Sequence, residues 1–581
     1  MDRNKARPGR WKTPPWNRDT DRWLTIEQEL APDHLARSIN RLVAELDLTD
    51  LYERYAGRGS AANPPDLLLR LVLFEGWEGK LSPSEWHEDT TDSDPVKWLL
   101  FGLRPSLSCV YAFRNRCADI IDGLNRQILQ LAHAGGLVTA EAVAFDGTFV
   151  AARGSRHRLT TAKTVDKRLA QLDAVLAVDD ALAKANGSPE SERAEAACPL
   201  AETLVLDDSS RLNPAGTSLA PASAEQAAAR GGIESRASVG SPPVPAPTPA
   251  GPCDEKMKSW MAKSPAARRK QRMNYRMARE ILNRKRQSHQ QTLSRTAKAR
   301  RRPGERIVVC PTELDAALGR DKLKVFRPLY NVQFARSLDT SFILGYAVIV
   351  EVTDAGQFGP LAFRVEDLFG YLPERVAVDD KYAGHVDLAR AQELGIVVYA
   401  PVSGMEQTDG SRKKPNRGMI PKTDFKWQPE EQTYCCPQGH RLKCVGTSTQ
   451  TREGGVTLKL IQYRCPAEHC RECPLRAQCT RTPEKGRVVK RSEHEELAEQ
   501  LRERMQSPEG KAFYRKRGQT VEPSFGDLKE HRELRQFCGF GLRQAFAQTG
   551  ILVLARNGLA LLKGRAKQQT GLTPATEDAA A

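Results

Sequence analysis

Long apolar runs are scarce in this chain of 581 residues. None reads as long enough to cross a bilayer, so no membrane partner is expected. The first residues, Met1-Asp2-Arg3-Asn4-Lys5, are charged and lack the apolar core of a secretion signal. A cytoplasmic location is therefore the expectation. Acidic residues are too few to balance the basic ones, and the net charge is +16. That excess disfavours a polyanion-like acidic protein and points to a polyanionic partner. In a reducing compartment the 13 cysteines do not form a disulfide framework, so a cluster of them suggests a metal site. Hydrophobic residues make up 40% of the chain, enough for a sizeable core outside its polar stretches.

Residues 1–30 form a polar arm with Pro8, Pro14 and Pro15. From 31 to 135 the apolar spacing is helical throughout, as in Leu35, Ile39, Leu42, Val43 and Leu46. Pro64-Pro65 opens one helix, and Ser82-Pro83-Ser84-Glu85 is a capping box that opens another. A helix through Val110 and Phe113 follows. This pair either packs as a helix-turn-helix, with Arg114 and Arg116 near a DNA backbone, or belongs to a plain bundle with solvated arginines. A helix through Leu169, Leu172, Leu176 and Val178 lies within 136–190. Residues 191–250, rich in Ala, Ser and Pro, read as a disordered linker. The next segment, 251–305, is basic; residues 251–310 hold 18 Lys/Arg against 4 Asp/Glu. A long helix there, with Arg268 and Arg269 among its charges, is suited to neutralising phosphates without reading sequence. Strand-like segments follow at 325–334, 342–352, 375–379 and 396–400, within 306–403. The second is the most apolar and is expected to be central or well covered. Residues 404–495 are polar and Cys-rich. Helical patterning returns over 496–564, and 565–581 read as a tail.

Three acidic positions stand out. Val143-Ala144-Phe145-Asp146-Gly147-Thr148-Phe149-Val150 reads as a buried strand with one carboxylate inside it. Such a charge needs a partner, and a cation is one; alternatively the aspartate opens a turn before Gly147. Val376-Ala377-Val378-Asp379-Asp380 repeats the pattern. Glu522, in Thr520-Val521-Glu522-Pro523, starts a helical stretch with Lys529 two turns along. Carboxylates from two strand ends and a helix are suited to two hard divalent ions, about 3.5–4 Å apart in enzymes that move phosphodiester bonds.

These segments resemble the DDE transposases of bacterial insertion sequences, most closely the insertion-sequence eleven-eighty-two group. The resemblance lies in Pro64-Pro65-Asp66-Leu67-Leu68-Leu69, Leu81-Ser82, Trp98-Leu99 and Phe113-Arg114-Asn115-Arg116. It continues in Phe145-Asp146-Gly147-Thr148, Val378-Asp379-Asp380-Lys381-Tyr382 and Val521-Glu522-Pro523-Ser524-Phe525-Gly526-Asp527-Leu528-Lys529. Tyr514, Arg517, Glu522 and Lys529 resemble a Tyr-Arg-Glu-Lys signature, with the Arg-to-Glu step one residue longer than the commonest form. The resemblance implies an α/β fold: an RNase H-like catalytic core, made of a mixed sheet with flanking helices, an all-helical N-terminal domain and a small Cys-rich β insertion. It implies that Asp146, Asp379 and Glu522 ligate two Mg²⁺ or Mn²⁺, with Asp380 a rival to Asp379. Arg517 and Lys529 would hold DNA phosphates, or else lie on a solvated helix. The partners implied are double-stranded DNA, both element ends and target, and a second copy of the chain in the synaptic complex, in a bacterial, nucleoid-associated setting. A nuclease that cuts without joining and a non-catalytic, domesticated DNA-binding protein are the alternatives.

Seven cysteines fall between Cys435 and Cys479, and Cys470-x-x-Cys473 can bite one tetrahedral zinc. The resemblance adds Cys436 and Cys479 as the other two ligands, with Cys465, Cys444 and His440 in reserve; reduced cysteines that bind nothing are the alternative. Phe425 and Trp427 precede the cluster, either to stack on a flipped base or to anchor the insertion.

Overall fold

The computed structural model describes residues 10–55, 60–185, 258–295, 307–321, 323–401, 420–451 and 457–569. The expected linker at 191–250 lies outside the described residues, as do 404–419 of the Cys-rich segment and most of the tail. The chain divides into two compact units, one of residues 160–308 with 453–455 and one of the remainder.

In the larger unit, helices follow one another from Asp21–Glu29 to Ile121–Ala134. The central one, α1 (Pro65–Glu78), is apolar on every side and buries Leu67, Leu68, Leu69, Leu71, Val72, Leu73 and Phe74. A helix apolar all round belongs inside a core. Proline opens it, and Gly79, at φ +85°, ends it where L side chains are strained. The capping box at Ser82 opens α2 (Pro83–Asp92). α3 (Leu107–Cys117) packs on α2, but a short helix, Asp94–Leu99, intervenes. The connection is therefore longer than the three- to four-residue turn of a helix-turn-helix. α4 (Ile121–Ala134) leads into the sheet.

The sheet has six strands: β1 (Ala142–Ala151), β2 (Ala317–Arg320), β3 (Phe326–Ser337), β4 (Ile343–Ile349), β5 (Arg375–Val378) and β6 (Val397–Tyr399). β1 lies between antiparallel β3 and parallel β5, and β6 extends the parallel side. β2 and β4 share the far edge of β3. β4, the most apolar strand, is thus an edge strand; α5 (Phe358–Phe369) and the last helix cover it. The strand segments read from sequence match these strands to within a few residues, because β-branched runs bounded by turn residues mark them clearly.

Alternation along β1 assigns the two faces of the sheet. Phe145 points to the face covered by α5, where its ring lies 5.3 Å from Phe358. Asp146 points to the other face, covered by α7 (Pro508–Gly526), which follows α6 (Glu495–Gln506). Phe334, directly across from Asp146, meets Phe525 of α7 at 5.7 Å, and Tyr399 of β6 meets Phe513 at 4.3 Å. Pro523 sits inside α7, and a π-helical turn, Asp527–His531, follows it. The last helix, α8 (Leu542–Gln569), corrects the reading that no segment could cross a bilayer. By length and composition it is long and apolar enough, but 78% of its most apolar window is buried inside the protein.

The Cys-rich segment contains a two-stranded sheet, β7 (Lys426–Gln428) with β8 (Thr433–Cys435). It also contains a three-stranded one of β9 (Lys443–Thr451), β10 (Thr457–Arg464) and β11 (Val488–Ser492).

The smaller unit is an antiparallel hairpin of helices Ala162–Ala185 and Pro265–Arg295. Val165, Leu169, Leu172 and Leu176 repeat at three- and four-residue steps and are buried with Tyr275, Ala278 and Leu282. This is coiled-coil spacing. Val178, expected on the apolar face, is half exposed, and the buried stripe passes instead to Asp179. Ion pairs join the helices at Asp179–Arg268 (2.7 Å), Asp180–Arg269 (2.6 Å) and Asp173–Arg272 (3.5 Å).

Candidate active site

β1 and β5 run parallel, and their last paired positions are Phe145 and Val378. Asp146 and Asp379 come next on each strand, on the face where α7 lies. Adjacent strands are roughly 4.8 Å apart, so the topology alone brings together two carboxylates far apart in sequence. Asp379 also caps the turn that follows, accepting from the Asp380 N–H at 2.6 Å. Asp380 is exposed, and its carboxyl is pushed up by burial and then by Asp379 beside it. Asp379 is the member of that pair in register with Asp146.

Asp146 has two partners. One oxygen accepts from the Gly147 N–H at 2.8 Å, and the other lies 2.8 Å from Arg517 Nη2 of α7. Its carboxyl is nonetheless pushed above the ordinary range. Burial is the main cause; Arg517 and the Gly147 N–H oppose it, while Asp379 and Asp354 add like charge. The hydroxyl of Tyr514, one turn before Arg517, is pushed up chiefly by burial; Arg517 opposes this, and Asp379 and Asp146 add to it.

Glu522 is on α7 but exposed. At 3.6 residues per turn it lies about 140° around the helix from Arg517, on the side turned away from the sheet. What α7 presents to the aspartate pair is therefore Tyr514 and Arg517. Among the described residues, no three His, Cys, Asp or Glu form a group that could hold a metal ion. The pair itself has the hard oxygen donors that Mg²⁺ or Mn²⁺ prefers, and one arginine to offset its charge. Lys529 donates to the Phe149 carbonyl at 3.1 Å, further along β1.

Sequence reasoning missed Asp354. It lies in the β4–α5 loop, is buried, and presses electrostatically on Asp146. Thr353-Asp354-Ala355-Gly356 looks like an ordinary turn. The available signal was Gly147, where a side chain would collide with Gln333 and come within 2.5 Å of Asp354 Oδ1.

The candidate DNA contacts lie in different settings. Arg114 is buried, with Nε and Nη1 lacking acceptors and its guanidinium 5.2 Å from the Tyr111 ring. Arg116 stacks over Tyr55 at 4.6 Å. Arg268, expected on a phosphate-facing surface, is instead buried against Asp179, and Arg269 pairs with Asp180. Both sit where one hairpin helix meets the other, so their charge is taken up by the acids of the partner helix.

In the Cys-rich segment, Cys436, Cys465, Cys470, Cys473 and Cys479 line one cavity with His440 and His469. Cys465 was a reserve ligand on sequence. It is buried, and its thiol is pushed up by that burial and by Cys470 and Cys436 beside it. Cys444 is exposed on β9 and does not line the cavity. The two histidine rings stack at 4.1 Å. Trp427 packs on Tyr434 (4.9 Å) and Tyr463 (5.6 Å), with Arg491 above it at 4.0 Å, and so anchors the insertion.

A family model described as a transposase DDE domain matches residues 435–561. That stretch holds the cysteines, α7 with Glu522, and most of α8; it does not reach Asp146 or Asp379. The match supports a DDE-type transposase and, with it, DNA as partner. No curated protein and no solved structure matches the chain.

Proposed function

We propose that this chain is a DDE transposase of the insertion-sequence eleven-eighty-two group. It binds the terminal inverted repeats of its element, cleaves the DNA ends and joins the 3′-hydroxyl to target DNA, in a bacterial cytoplasm and as a homodimer when two ends are paired. The observation that carries this reading is the juxtaposition of Asp146, midway along β1, with Asp379, just past the end of the parallel neighbour β5, under a helix that lies within the matched transposase domain. The same arrangement supports an RNase H-like core behind a helical N-terminal region.

Asp146 and Asp379, with Glu522 brought in from the outer side of α7, are the residues that would hold Mg²⁺ or Mn²⁺. When bound, such ions lower the pKa of the attacking water or hydroxyl and offset charge on the leaving oxygen. Arg517 favours the ionised form of Asp146, against burial, and holds it in place. Arg114 is buried and out of direct reach of a phosphate, so it contributes positive charge from within the helical region. Arg116 and Lys529 lend further positive charge, and Arg268 and Arg269 contribute through the hairpin's net charge rather than by direct contact.

Asp146→Ala should abolish end cleavage in Mg²⁺ while DNA affinity stays nearly unchanged. Retained cleavage would exclude the proposed site. Strand-transfer products from pre-cut ends separate a transposase from a nuclease that only cuts.

We further propose one structural zinc at the cavity these thiols line, held by Cys436, Cys470, Cys473 and Cys479 once they draw closer together than in this arrangement, with Cys465 in reserve. Metal analysis of the purified chain should give one zinc per molecule, and a zinc-free, fully folded protein would end that part of the reading.

A further inference from the structure

A network of buried polar side chains lies on the face of the sheet opposite Asp146. Asn331 and Gln333 are two residues apart on β3 and so share that face. Both donate to the same oxygen of Asp354, at 2.8 and 2.9 Å. Lys381 Nζ lies 3.6 Å from the other oxygen. A buried carboxylate is costly unless it is paired and hydrogen-bonded, and here two amides and an ammonium supply that.

The Asp354 carboxylate, as an acceptor, also fixes the orientation of the Gln333 amide. The NH₂ group must face Asp354, which leaves the amide oxygen for another donor. That donor is the Tyr382 hydroxyl, on a side chain 1% exposed. Reversing the amide would set its oxygen against the Asp354 carboxylate, acceptor against acceptor. Tyr382 closes the 3₁₀ turn Asp380–Tyr382, which Asp379 caps. Gly147, beside Asp146, leaves the space through which Asp354 and Gln333 approach the strand.

We propose that Asp354 is a positioning residue for this site. It fastens the turn behind Asp379 directly through Lys381 and indirectly through Gln333 and Tyr382. This rests on reading Asp146 and Asp379 as the metal-binding pair. Asp354 touches neither DNA nor metal; it acts by fixing where the Asp379 carboxylate points.

The test is Mn²⁺ binding to the full chain, followed by titration calorimetry, for wild type, Asp146→Ala, Asp354→Leu, Asp354→Asn and Tyr382→Phe. Losing an outer-shell partner of a metal ligand costs about tenfold or more in affinity. Asp354→Leu and Tyr382→Phe should each weaken Mn²⁺ binding about tenfold, and the double variant no more than the worse single. Asp354→Asn keeps the shape and an oxygen for both amides but turns an NH₂ toward Lys381, so it should bind Mn²⁺ more weakly than wild type and more tightly than Asp354→Leu; an isosteric change that only preserved packing would leave affinity unchanged. Tyr382→Phe removes one hydroxyl and keeps the ring, so it remains informative should the leucine variant misfold. Wild-type affinity in both Asp354→Leu and Tyr382→Phe, with binding lost in Asp146→Ala, overturns this inference alone. Wild-type affinity in Asp146→Ala overturns the metal-binding pair and the inference with it.

Discussion

Two largely enclosed aspartate–arginine pairs in this protein have nearly the same contact distance and opposite characters. In the hairpin, Arg268 gives Nε and Nη2 to the two oxygens of Asp179, at 2.8 and 2.7 Å, and Nη1 to the Lys263 carbonyl at 2.7 Å. In the sheet, Arg517 gives a single bond of 2.8 Å to Asp146, and its Nε is buried with no acceptor. Asp146 also feels the like charge of Asp379 and, from the other face of the sheet, Asp354, and its carboxyl is pushed upward despite the arginine. The hairpin pair is saturated and adds nothing but register, like a polar residue in a coiled-coil seam. The sheet pair has more negative charge than one guanidinium offsets. An arrangement that keeps unspent acceptors inside a core has a use beyond folding, and a divalent cation is the partner that matches its charge and donor type.

If this contrast is right, the two pairs fail in different ways. Breaking the hairpin pair should cost stability. Arg268→Met leaves Asp179 buried and unpaired, a loss of about 3 kcal/mol. The loss belongs to the hairpin, so it should be read by hydrogen exchange of the amides in Ala162–Ala185 and Pro265–Arg295, not by a global transition. The paired substitution Arg268→Met/Asp179→Leu should recover most of it, because two apolar side chains suit a coiled-coil seam. Unchanged exchange in Arg268→Met would show that the saturated pair does not set the register. Asp146→Ala, in contrast, should leave its sheet nearly as stable as before, since it removes a charge that burial disfavours.

What was legible in the sequence follows the same divide. Strands were legible because β-branched runs such as 343–349 carry their own signal, and both aspartates stood out as carboxylates within or just after such runs. Register was not. That Asp146 and Asp379 are level depends on pairing between residues more than two hundred positions apart, which no local pattern encodes. Arg268 and Arg269 were read as free charge because the acids that take them up, Asp179 and Asp180, lie across an 88-residue gap. Asp354 was missed because its partners, Asn331 and Gln333 on β3 and Lys381 in the turn after β5, come from two other segments. Charge runs show what is available for a partner, and only packing shows what has already found one.

A third buried carboxylate extends the comparison to its limit. Glu75, on α1, is 0% exposed, and neither oxygen has a hydrogen-bond partner. Lys80, the nearest cation to it, is already bound to Asp89. Burial pushes the Glu75 carboxyl up to about 9, and Asp89 adds to the shift, so at neutral pH it is a neutral acid. Its folded value lies above its unfolded one. The folded state therefore holds the proton more tightly, and this residue's contribution to stability declines as pH rises from about 4.5 to about 9. The slope is at most about 1.4 kcal/mol per pH unit. Glu75→Gln cannot ionise and should flatten the pH dependence of denaturant unfolding across that window, with the gain over wild type widening toward pH 9. Parallel curves for the two proteins would mean that Glu75 finds a partner when it ionises, and that pairing, not burial, governs all three carboxylates.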